Sequence, residues 1–276
     1  MNLSISRQCT CGKSDFKYLK KYSFYKSLYP PDRAIVKCVY CGLITRVPSI
    51  FELNDLKENP PPLKEYSAFI GDGNSSAVNV FLERLKKAER LAGKGPVLEV
   101  GAGSGGFMEV ARSQNWDCLG TELSSSNYEA LKTKGYNMLL GDLDADALKG
   151  KKFNLVHVNH VFEHVKDPLG FLHACKKLLA EKGIIIIEVP NEFDAVSQQI
   201  KMLFKLKDQG PTSYYEHEYF YSIKSLKKLV KRTGMDILKI GTPYRKSKSK
   251  SRNIIYYFSS LLNRGEVIEL ILQQNN

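Results

Sequence analysis

The stretch Val97-Leu-Glu-Val-Gly-Ala-Gly-Ser-Gly-Gly106 decides the fold of this chain. Apolar residues and one carboxylate run directly into a turn that contains four glycines, and the segment after it has helix-forming composition. A strand that ends on such a turn and continues as a helix brings bare backbone close to a ligand. The stretch therefore predicts a ligand-binding strand–turn–helix unit.

Two ligand patterns overlap in this turn. Gly101-x-Gly103-x-x-Gly106 satisfies the dinucleotide fingerprint. Glu99 stands two places before the first glycine and completes a second pattern, Glu99-x-Gly101-x-Gly103-x-Gly105. We expect Glu99 to favour the second pattern, because a carboxylate beside the turn is poorly placed for a pyrophosphate and well placed for an ammonium group.

The composition is that of a globular protein. The chain has 276 residues, of which 43% are hydrophobic and 25% charged. No run approaches the roughly 20 apolar residues of a membrane span, and the first residues lack the basic-then-apolar pattern of a secretory signal. We therefore expect a cytoplasmic protein without a transmembrane segment.

The net charge of +12 is partly local. The segment Arg245-Lys-Ser-Lys-Ser-Lys-Ser-Arg252 carries five cations in eight residues. The favoured interpretation is a solvated, flexible segment. The alternative is a patch for anionic partners, such as a nucleotide-linked substrate, nucleic acid or acidic lipid.

Four of the six cysteines form two close pairs. Cys9-Thr-Cys11 and Cys38-Val-Tyr-Cys41 are separated by 26 residues. Without a secretion signal, these cysteines favour a metal over disulfides, and four thiolates suit a tetrahedral structural zinc. The one-residue spacer between Cys9 and Cys11 is shorter than usual, and unligated thiols remain the alternative.

The chain divides into four segments by composition. Residues 1–50 form a zinc-ribbon-like unit, 51–75 a proline-rich connector, 76–242 a run of alternating strands and helices, and 243–276 a basic segment with a C-terminal extension. Repeated β-α units with short links predict an α/β fold with a parallel sheet covered by helices. From Asn253 on, the sequence is compatible with one or two short helices.

The residues that follow the strands are the candidate ligand contacts, because ligands bind outside the carboxyl ends of a parallel sheet. Glu122 ends the second strand, where a carboxylate can accept two hydrogen bonds from ribose hydroxyls of either NAD or another nucleoside. Asp142 ends the third strand and can accept from an adenine amine, although Gly141-Asp142 also has turn composition. Asn159 ends the fourth strand.

An ordered set of motifs over about residues 75–240 resembles the small-molecule branch of the class I S-adenosylmethionine-dependent methyltransferases, the ubiquinone-biosynthesis-like group. The motifs are Glu99–Gly105, Glu122, Gly141-Asp142, His160–Pro168, Gly183–Asn191 and Tyr215–Ser222. The resemblance implies a Rossmann-like seven-stranded sheet with an antiparallel last strand, and S-adenosylmethionine as methyl donor.

By position in these motifs, the resemblance also assigns the cofactor contacts. Glu99, Gly101, Ala102 and Gly103 would face the methionine end. Glu122 and Leu123 would lie at the ribose, Asp142 and Leu143 at the adenine, and Asn159 beside the turn.

The segment His160-Val-Phe-Glu163-His164 places two imidazoles and a carboxylate on one helical face. Some relatives use Glu-x-x-Glu-His plus a distant histidine as a metal site. This chain has His160 in place of the first glutamate, and His217 is the candidate distant histidine. We favour a structural role for Glu163 and His164 over a second metal.

Candidate catalytic residues come from the expected acceptor pocket. A hydroxyl acceptor of high pKa benefits from a nearby base. His160, Tyr214, Tyr215 and His217 are the candidates, and His160, Tyr215 and His217 are our predicted catalytic residues.

The predicted function is methyl transfer to a small molecule. We expect an anionic or glycan-linked molecule, with a sugar or polysaccharide-precursor hydroxyl as the methyl acceptor. The segment Cys38–Pro48 resembles the zinc-binding leader of sugar methyltransferases. The alternatives are an RNA methyltransferase, a non-catalytic binding protein with the same fold and an NAD oxidoreductase. Asn159-His-Val-Phe162 lacks an amino-methylating motif, which disfavours the RNA alternative.

Overall fold

The structure is a computed structural model, and it describes residues 2–4, 8–19, 34–47, 75–203, 217–245 and 250–275. Within these ranges, no helix is long and apolar enough to cross a bilayer. Two candidate residues of the acceptor pocket, Tyr214 and Tyr215, lie outside the described residues.

Twelve strands and seven α-helices make up the described chain. The strands are β1 (Asn2–Ser4), β2 (Asp15–Tyr18), β3 (Ala34–Cys38), β4 (Ile44–Val47), β5 (Val97–Val100), β6 (Cys118–Glu122), β7 (Asn137–Leu140), β8 (Phe153–Asn159), β9 (Leu179–Pro190), β10 (Tyr219–Phe220), β11 (Met235–Gly241) and β12 (Val267–Gln274). The helices are α1 (Ser75–Ala92), α2 (Gly106–Ser113), α3 (Ser125–Thr133), α4 (Pro168–Leu178), α5 (Val196–Leu203), α6 (Ile223–Lys231) and α7 (Lys250–Leu261).

Seven strands form the large sheet in the order β7-β6-β5-β8-β9-β12-β11. Strands β5 to β9 pair in parallel, and β12 runs antiparallel to both of its neighbours, β9 and β11. The predicted Rossmann-like sheet with an antiparallel last strand is therefore confirmed. The parallel strands all end at one edge, which we call the carboxyl edge.

The expectation of short helices after Asn253 was wrong for the final residues. Val267–Gln274 forms β12, which lies between β9 and β11 with its apolar residues buried. The sequence Val-Ile-Glu-Leu-Ile-Leu lacks the alternation of apolar and polar residues that is typical of a half-exposed strand. This strand is buried on both faces, as strands inside a covered sheet are. The segment 243–276 thus contributes one strand to the large sheet.

Local signals in the sequence explain several element boundaries. The Asp167 carboxylate accepts from the backbone N–H groups of Leu169 and Gly170, and Pro168 occupies the first turn of α4. Ser222 and Ser225 form a capping box at the start of α6. These caps determine the residues at which α4 and α6 begin.

A second, antiparallel sheet has the order β1-β2-β3-β4-β10. Its first four strands come from the N-terminal unit, and β10 comes from the second half of the chain. Thr45 on β4 donates its hydroxyl to the Glu218 carbonyl at 3.0 Å, and the Glu218 N–H donates to the Glu163 carbonyl at 3.0 Å. The small sheet is therefore joined to the loop after β8.

A charged residue lies at the centre of the packing between α1 and the large sheet. Arg84 of α1 is fully buried. Its guanidinium lies 2.5 Å from Glu188 and 3.3 Å from Glu269, on β9 and β12. It also donates to Asn159 Oδ1 at 2.8 Å and contacts His157 Nε2 at 3.0 Å. One helix residue thus joins three neighbouring strands.

Two further cations complete this buried network. Lys87 contacts Glu269 at 2.6 Å, and Arg245 contacts Glu188 at 2.6 Å. Burial opposes the ionisation of Glu188 and Glu269, but the Arg84 guanidinium and the other cationic neighbours together outweigh it and lower the pKa of both carboxyl groups. Both carboxylates therefore stay ionised and depend on their cationic partners.

We predict that Arg84→Met destabilises the protein by about 3 kcal/mol or more, because it leaves two buried carboxylates short of a partner. The control is Lys86→Met on the same helix, whose ammonium group pairs with Glu83 at the exposed surface; it should change stability by less than about 0.5 kcal/mol. Urea unfolding measures both. Equal stabilities for the two variants would contradict the role assigned to Arg84.

Candidate functional site

The glycine turn after β5 has a backbone that only glycine adopts without strain. Gly101, Gly103 and Gly105 have φ values of 70°, 53° and 85°. A Cβ on Gly101 would lie 2.5 Å from a methyl of Val161, so the loop after β8 packs directly against the turn. A Cβ on Gly103 would meet no atom within 4 Å. The turn thus presents open space at Gly103 and packed structure on either side.

Glu122 at the end of β6 is hydrogen-bonded across this turn. Its Oε2 accepts from the Gly103 N–H at 2.8 Å, and its Oε1 accepts from the Ser124 N–H at 2.9 Å. An ionised carboxylate has about four acceptor positions, so these two bonds leave capacity on both oxygens. The carboxylate is fixed in place and can still accept hydrogen bonds from a ligand.

The loop after β7 adjoins Glu122. The Gly141 N–H donates to the Glu122 carbonyl at 2.9 Å, and Asp142 Oδ1 accepts from the Leu143 N–H at 2.7 Å. Leu143 is buried, whereas Leu123 is 72% exposed. The structure therefore brings the residues predicted after β5, β6 and β7 together along the carboxyl edge.

Glu99 does not reach this surface. Its side chain is buried and hydrogen-bonds to Nδ1 of His157, whose ring stacks on Phe107 at 3.9 Å. Burial raises the pKa of Glu99, against the pull of Arg84, and burial also lowers the pKa of His157. The Glu99 carboxyl group therefore bonds to His157 in the interior, and its predicted pairing with the ammonium group of a ligand stays a prediction.

Asn159 is also turned inward by the buried network, since its side-chain oxygen accepts from Arg84. Sequence reasoning missed Arg84 and its partners Glu188, Glu269 and His157. A signal was present, because Arg84 lies among the apolar positions Phe81, Leu82, Leu85 and Ala88 of a helix that packs on the sheet. A charge in such a stripe needs buried partners.

His160, the first residue after β8, has an unusual backbone and two acidic neighbours. Its φ is 54°, which is uncommon for a residue other than glycine. Nδ1 lies 3.3 Å from Glu163 Oε1 and Nε2 lies 3.6 Å from Glu188 Oε1. Burial works against the charged ring, but the two carboxylates outweigh it and raise the pKa of His160 to about 10.

The His160 side chain is 40% exposed at the carboxyl edge. Because each ring nitrogen faces a carboxylate, both nitrogens act as donors and the ring holds its proton at neutral pH. The arrangement can bind a negatively charged or hydroxyl oxygen. It is poorly suited to accept a proton.

His217 lies behind His160 in a buried cluster. Its Nδ1 lies 3.1 Å from Glu192 Oε2, and its Nε2 lies 3.8 Å from Glu163 Oε1. The rings of His164 and His217 meet edge-on with centroids 4.7 Å apart. The structure therefore brings His160 and His217 to the same oxygen, Oε1 of Glu163.

Glu163, His164 and His217 each offer one ligand atom within 4.8 Å of the others, which is close enough to share a cation. Glu163 Oε2 is buried without a hydrogen-bond partner. Two imidazoles and a carboxylate suit a divalent transition metal. The sequence favoured a structural role for these residues, and their contacts with each other and with Glu218 are compatible with that role as well.

The four N-terminal cysteines converge. Cys9 Sγ lies 3.6 Å from Cys41 Sγ, and Cys11 Sγ lies 3.6 Å from Cys38 Sγ. All four sulfur atoms lie within 4.8 Å of one another. These separations exceed a disulfide bond and are near the value of about 3.8 Å that a tetrahedral zinc with Zn–S bonds of about 2.3 Å requires.

The backbone explains how the short Cys9-x-Cys11 spacing is accommodated. Gly12 and Gly42 each follow a cysteine pair with φ values of 85° and 79°, and each N–H donates back to the carbonyl of the first cysteine of its pair. The Leu43 N–H also donates to Cys41 Sγ at 3.4 Å. The predicted zinc-ribbon-like unit is confirmed in its fold and in the convergence of its thiols.

Curated relatives cover part of the chain. The ubiquinone biosynthesis O-methyltransferase of Psychrobacter arcticus is 29% identical over 149 residues, 49% of this chain and 58% of that protein. The protein of the same name from Cereibacter sphaeroides is 25% identical over 150 residues, 51% of this chain and 60% of that protein. The chain thus spans less than two thirds of the length of these relatives.

Solved structures share the fold. A SAM-dependent methyltransferase from Archaeoglobus fulgidus matches with a TM-score of 0.51 at 19% identity, over 71% of this chain and 94% of that one. The plantazolicin methyltransferase BpumL, solved in complex with SAH, matches with a TM-score of 0.57 at 15% identity, over 80% of this chain and 93% of that one.

A family model described as a methyltransferase domain matches residues 75–240, which is more than half of the chain. That range begins at α1 and ends in β11, and it includes the glycine turn, Glu122, Asp142 and the loop after β8. The chain therefore belongs to the methyltransferase-domain family.

Proposed function

We propose that this protein transfers a methyl group from S-adenosylmethionine to a hydroxyl of a small molecule. The observation that carries the proposal is Glu122, held by the N–H groups of Gly103 and Ser124 at the carboxyl edge. A carboxylate fixed beside a glycine turn is suited to the ribose diol of a nucleoside. The names of the curated relatives support an oxygen as the methyl acceptor.

The residues fit this cofactor. The open space at Gly103 leaves room for a ligand to approach the backbone. We propose that Gly101, Ala102 and Gly103 contact the methionine end, Glu122 and Leu123 the ribose, and Asp142 and Leu143 the adenine. Asn159 lines this site through its backbone, since its side chain is bonded to Arg84.

When bound, the cofactor supplies a methyl group already activated by its sulfonium. The protein then has to hold the acceptor in line with that group and exclude water. We propose that His160, in its protonated form, places a positive charge beside the acceptor oxygen. This charge favours the ionised form of the acceptor.

The sequence predicted His160 as a base that accepts a proton, and the role proposed here differs from that prediction. His217 remains the candidate base on the acceptor side, and its contact with Glu192 orients the ring. Tyr215 remains a prediction from the sequence.

We further propose a sugar or polysaccharide-precursor hydroxyl as the acceptor. The cysteine leader, which resembles that of sugar methyltransferases, and the net charge of +12 support an anionic, glycan-linked molecule. An assay with nucleotide sugars as acceptors, in which the release of S-adenosylhomocysteine is measured, tests this choice. If the protein methylates catechols and does not methylate nucleotide sugars, the proposed sugar acceptor is contradicted, whereas the proposed methyl transfer still stands.

A structural zinc at the four cysteines is also proposed. A metal would hold all four as thiolates. In its absence the thiols share protons, since hydrogen bonding from Cys41 lowers the pKa of Cys9 to about 5, whereas burial raises the pKa of Cys11 to about 11. Four converging sulfur atoms with few other partners are best explained by a bound cation.

We predict that S-adenosylmethionine raises the melting temperature by several degrees, because a ligand at a hundred times its Kd stabilises by about 2.7 kcal/mol. NAD at the same concentration should leave it unchanged, since the family model that matches residues 75–240 describes a methyltransferase domain. Differential scanning fluorimetry measures both shifts. Stabilisation by NAD alone would contradict the proposal.

Gly103→Ala should weaken S-adenosylmethionine binding by more than about tenfold, because its Cβ enters the space left for the ligand. Gly150→Ala is the matched control, since Gly150 has a φ of 76° and also no atom within 4 Å of its Cβ. Both variants should lose about 1–2 kcal/mol of stability to backbone strain. Equal affinities in calorimetry would show that Gly103 lies away from the cofactor.

Metal analysis of the purified protein should find one zinc per chain, and Cys38→Ser combined with Cys41→Ser should lose it together with stability. S-adenosylmethionine affinity should remain, because the Gly103 and Glu122 contacts belong to the large sheet. Cys118→Ser, outside the cluster, is the control. Protein that contains no zinc would refute the site, and a metal that survives the double substitution would identify Glu163, His164 and His217 as a second site.

A further inference from the structure

Helix α7 carries its large apolar side chains on the outside. Phe258 is 59% exposed, and Ile254 and Leu261 are each 62% exposed. Among residues 253–261 of α7, whose burial the structure describes, the buried one is Ser259, which is 5% exposed and donates its hydroxyl to the Ile255 carbonyl within the helix. A surface helix of a globular protein normally has the opposite arrangement.

The exposed side chains form one continuous face. At 100° per residue, Ile254, Phe258 and Leu261 lie on one stripe, and Ser259 lies about 130° from it around the helix. Their neighbours on the helix surface, also exposed, are Ile255, Tyr257 and Leu262. We call these six residues the apolar face.

This helix is fixed to the body of the protein. At its C-terminal end, Arg264 N–H donates to the Ser259 carbonyl at 2.7 Å, and Gly265 N–H donates to the Thr242 hydroxyl at 3.1 Å. The Arg264 side chain donates to the Asp194 carbonyl at 3.2 Å. The C-terminal end of the helix is therefore tied to the residue after β11 and to the loop after β9.

The apolar face lies at the carboxyl edge of the large sheet. Helix α7 comes between the end of β11 and the start of β12, and Val267 at that start pairs with Pro190 at the end of β9. The same edge carries Gly103, Glu122 and His160. Helix α7 and the candidate site therefore lie at the same end of the large sheet.

The charged residues near the apolar face in the sequence are all basic. Residues 243–265 contain six lysines and arginines and no aspartate or glutamate. Arg245 pairs with Glu188 and Glu269 in the buried network. Arg264 bonds to the Asp194 carbonyl, and the remaining cations are Lys246, Lys248, Lys250 and Arg252.

We propose that α7 docks on the surface of an anionic lipid bilayer, with its apolar face in the interface between headgroups and acyl chains. An interfacial helix of this kind combines aliphatic and aromatic side chains with basic residues, and both its apolar area and its charges contribute to binding. Tyr244 and Tyr257 pack edge-on at the border of the face, where amphipathic rings suit the headgroup level. This inference stands apart from the proposed methyl transfer.

Two other occupants fit less well. A second copy of the chain would bring two basic segments together across a two-fold interface, because such an interface uses the same patch twice. An RNA would satisfy the cations, but it would leave Ile254, Ile255 and the leucines in contact with water and phosphate. An anionic bilayer satisfies both the charges and the apolar side chains.

The test is flotation of the full chain with vesicles of phosphatidylglycerol and phosphatidylcholine, compared with phosphatidylcholine alone. The wild type should float with the anionic vesicles, and a smaller fraction should float at high salt. It should not float with the neutral vesicles. Ile254→Ser, Phe258→Ser and Leu261→Ser combined should reduce flotation by about tenfold or more, with the melting temperature unchanged or higher because these side chains are exposed.

The matched control is Val78→Ser with Leu91→Ser, two exposed apolar positions on α1, and it should float like the wild type. The proposal is overturned if the wild type ignores anionic vesicles, if it binds neutral vesicles equally, or if the triple variant floats undiminished. A dimer in analytical ultracentrifugation that the triple variant abolishes would also overturn it, since a second copy would then cover the face.

Discussion

The site depends on one hydrogen-bonded carboxylate. Glu122 accepts from the N–H of Gly103 and from that of Ser124, and so it ties the turn after β5 to the loop after β6. The Gly141 N–H donates to the carbonyl of the same residue and adds the loop after β7. Three loops are thereby held in one arrangement at the carboxyl edge, with acceptor capacity left over for a nucleoside.

Below this edge, the sheet is held to α1 by charge as well as by apolar packing. Arg84 binds Glu188 and Glu269, and Glu188 in turn lies beside His160. The buried network thus connects the packing of α1 to the electrostatics of the acceptor side. A protonated His160 at the surface is one consequence, because Glu188 remains ionised only with its cationic partners in place.

Much of the parallel part of the fold could be predicted. The strand–glycine–helix unit and the caps at Asp167 and Ser222 are local signals, because bonds between near neighbours in the chain determine them. Glu122 and Asp142 could be picked out because each comes at the end of a predicted strand. Strand β12 could not be recognised, because a strand buried on both faces lacks alternation and its partners lie far away in the chain. The direction of Glu99 was also hidden, since it depends on His157, 58 residues later.

The most direct measurement is isothermal titration of the protein with S-adenosylmethionine, comparing the wild type with Glu122→Gln. The account predicts one site per chain in the wild type and a loss of affinity of at least about tenfold in the variant, because an amide cannot accept from both backbone N–H groups and also bind a diol. Equal affinities would show that the cofactor lies elsewhere, and no heat for the wild type would contradict binding at the glycine turn.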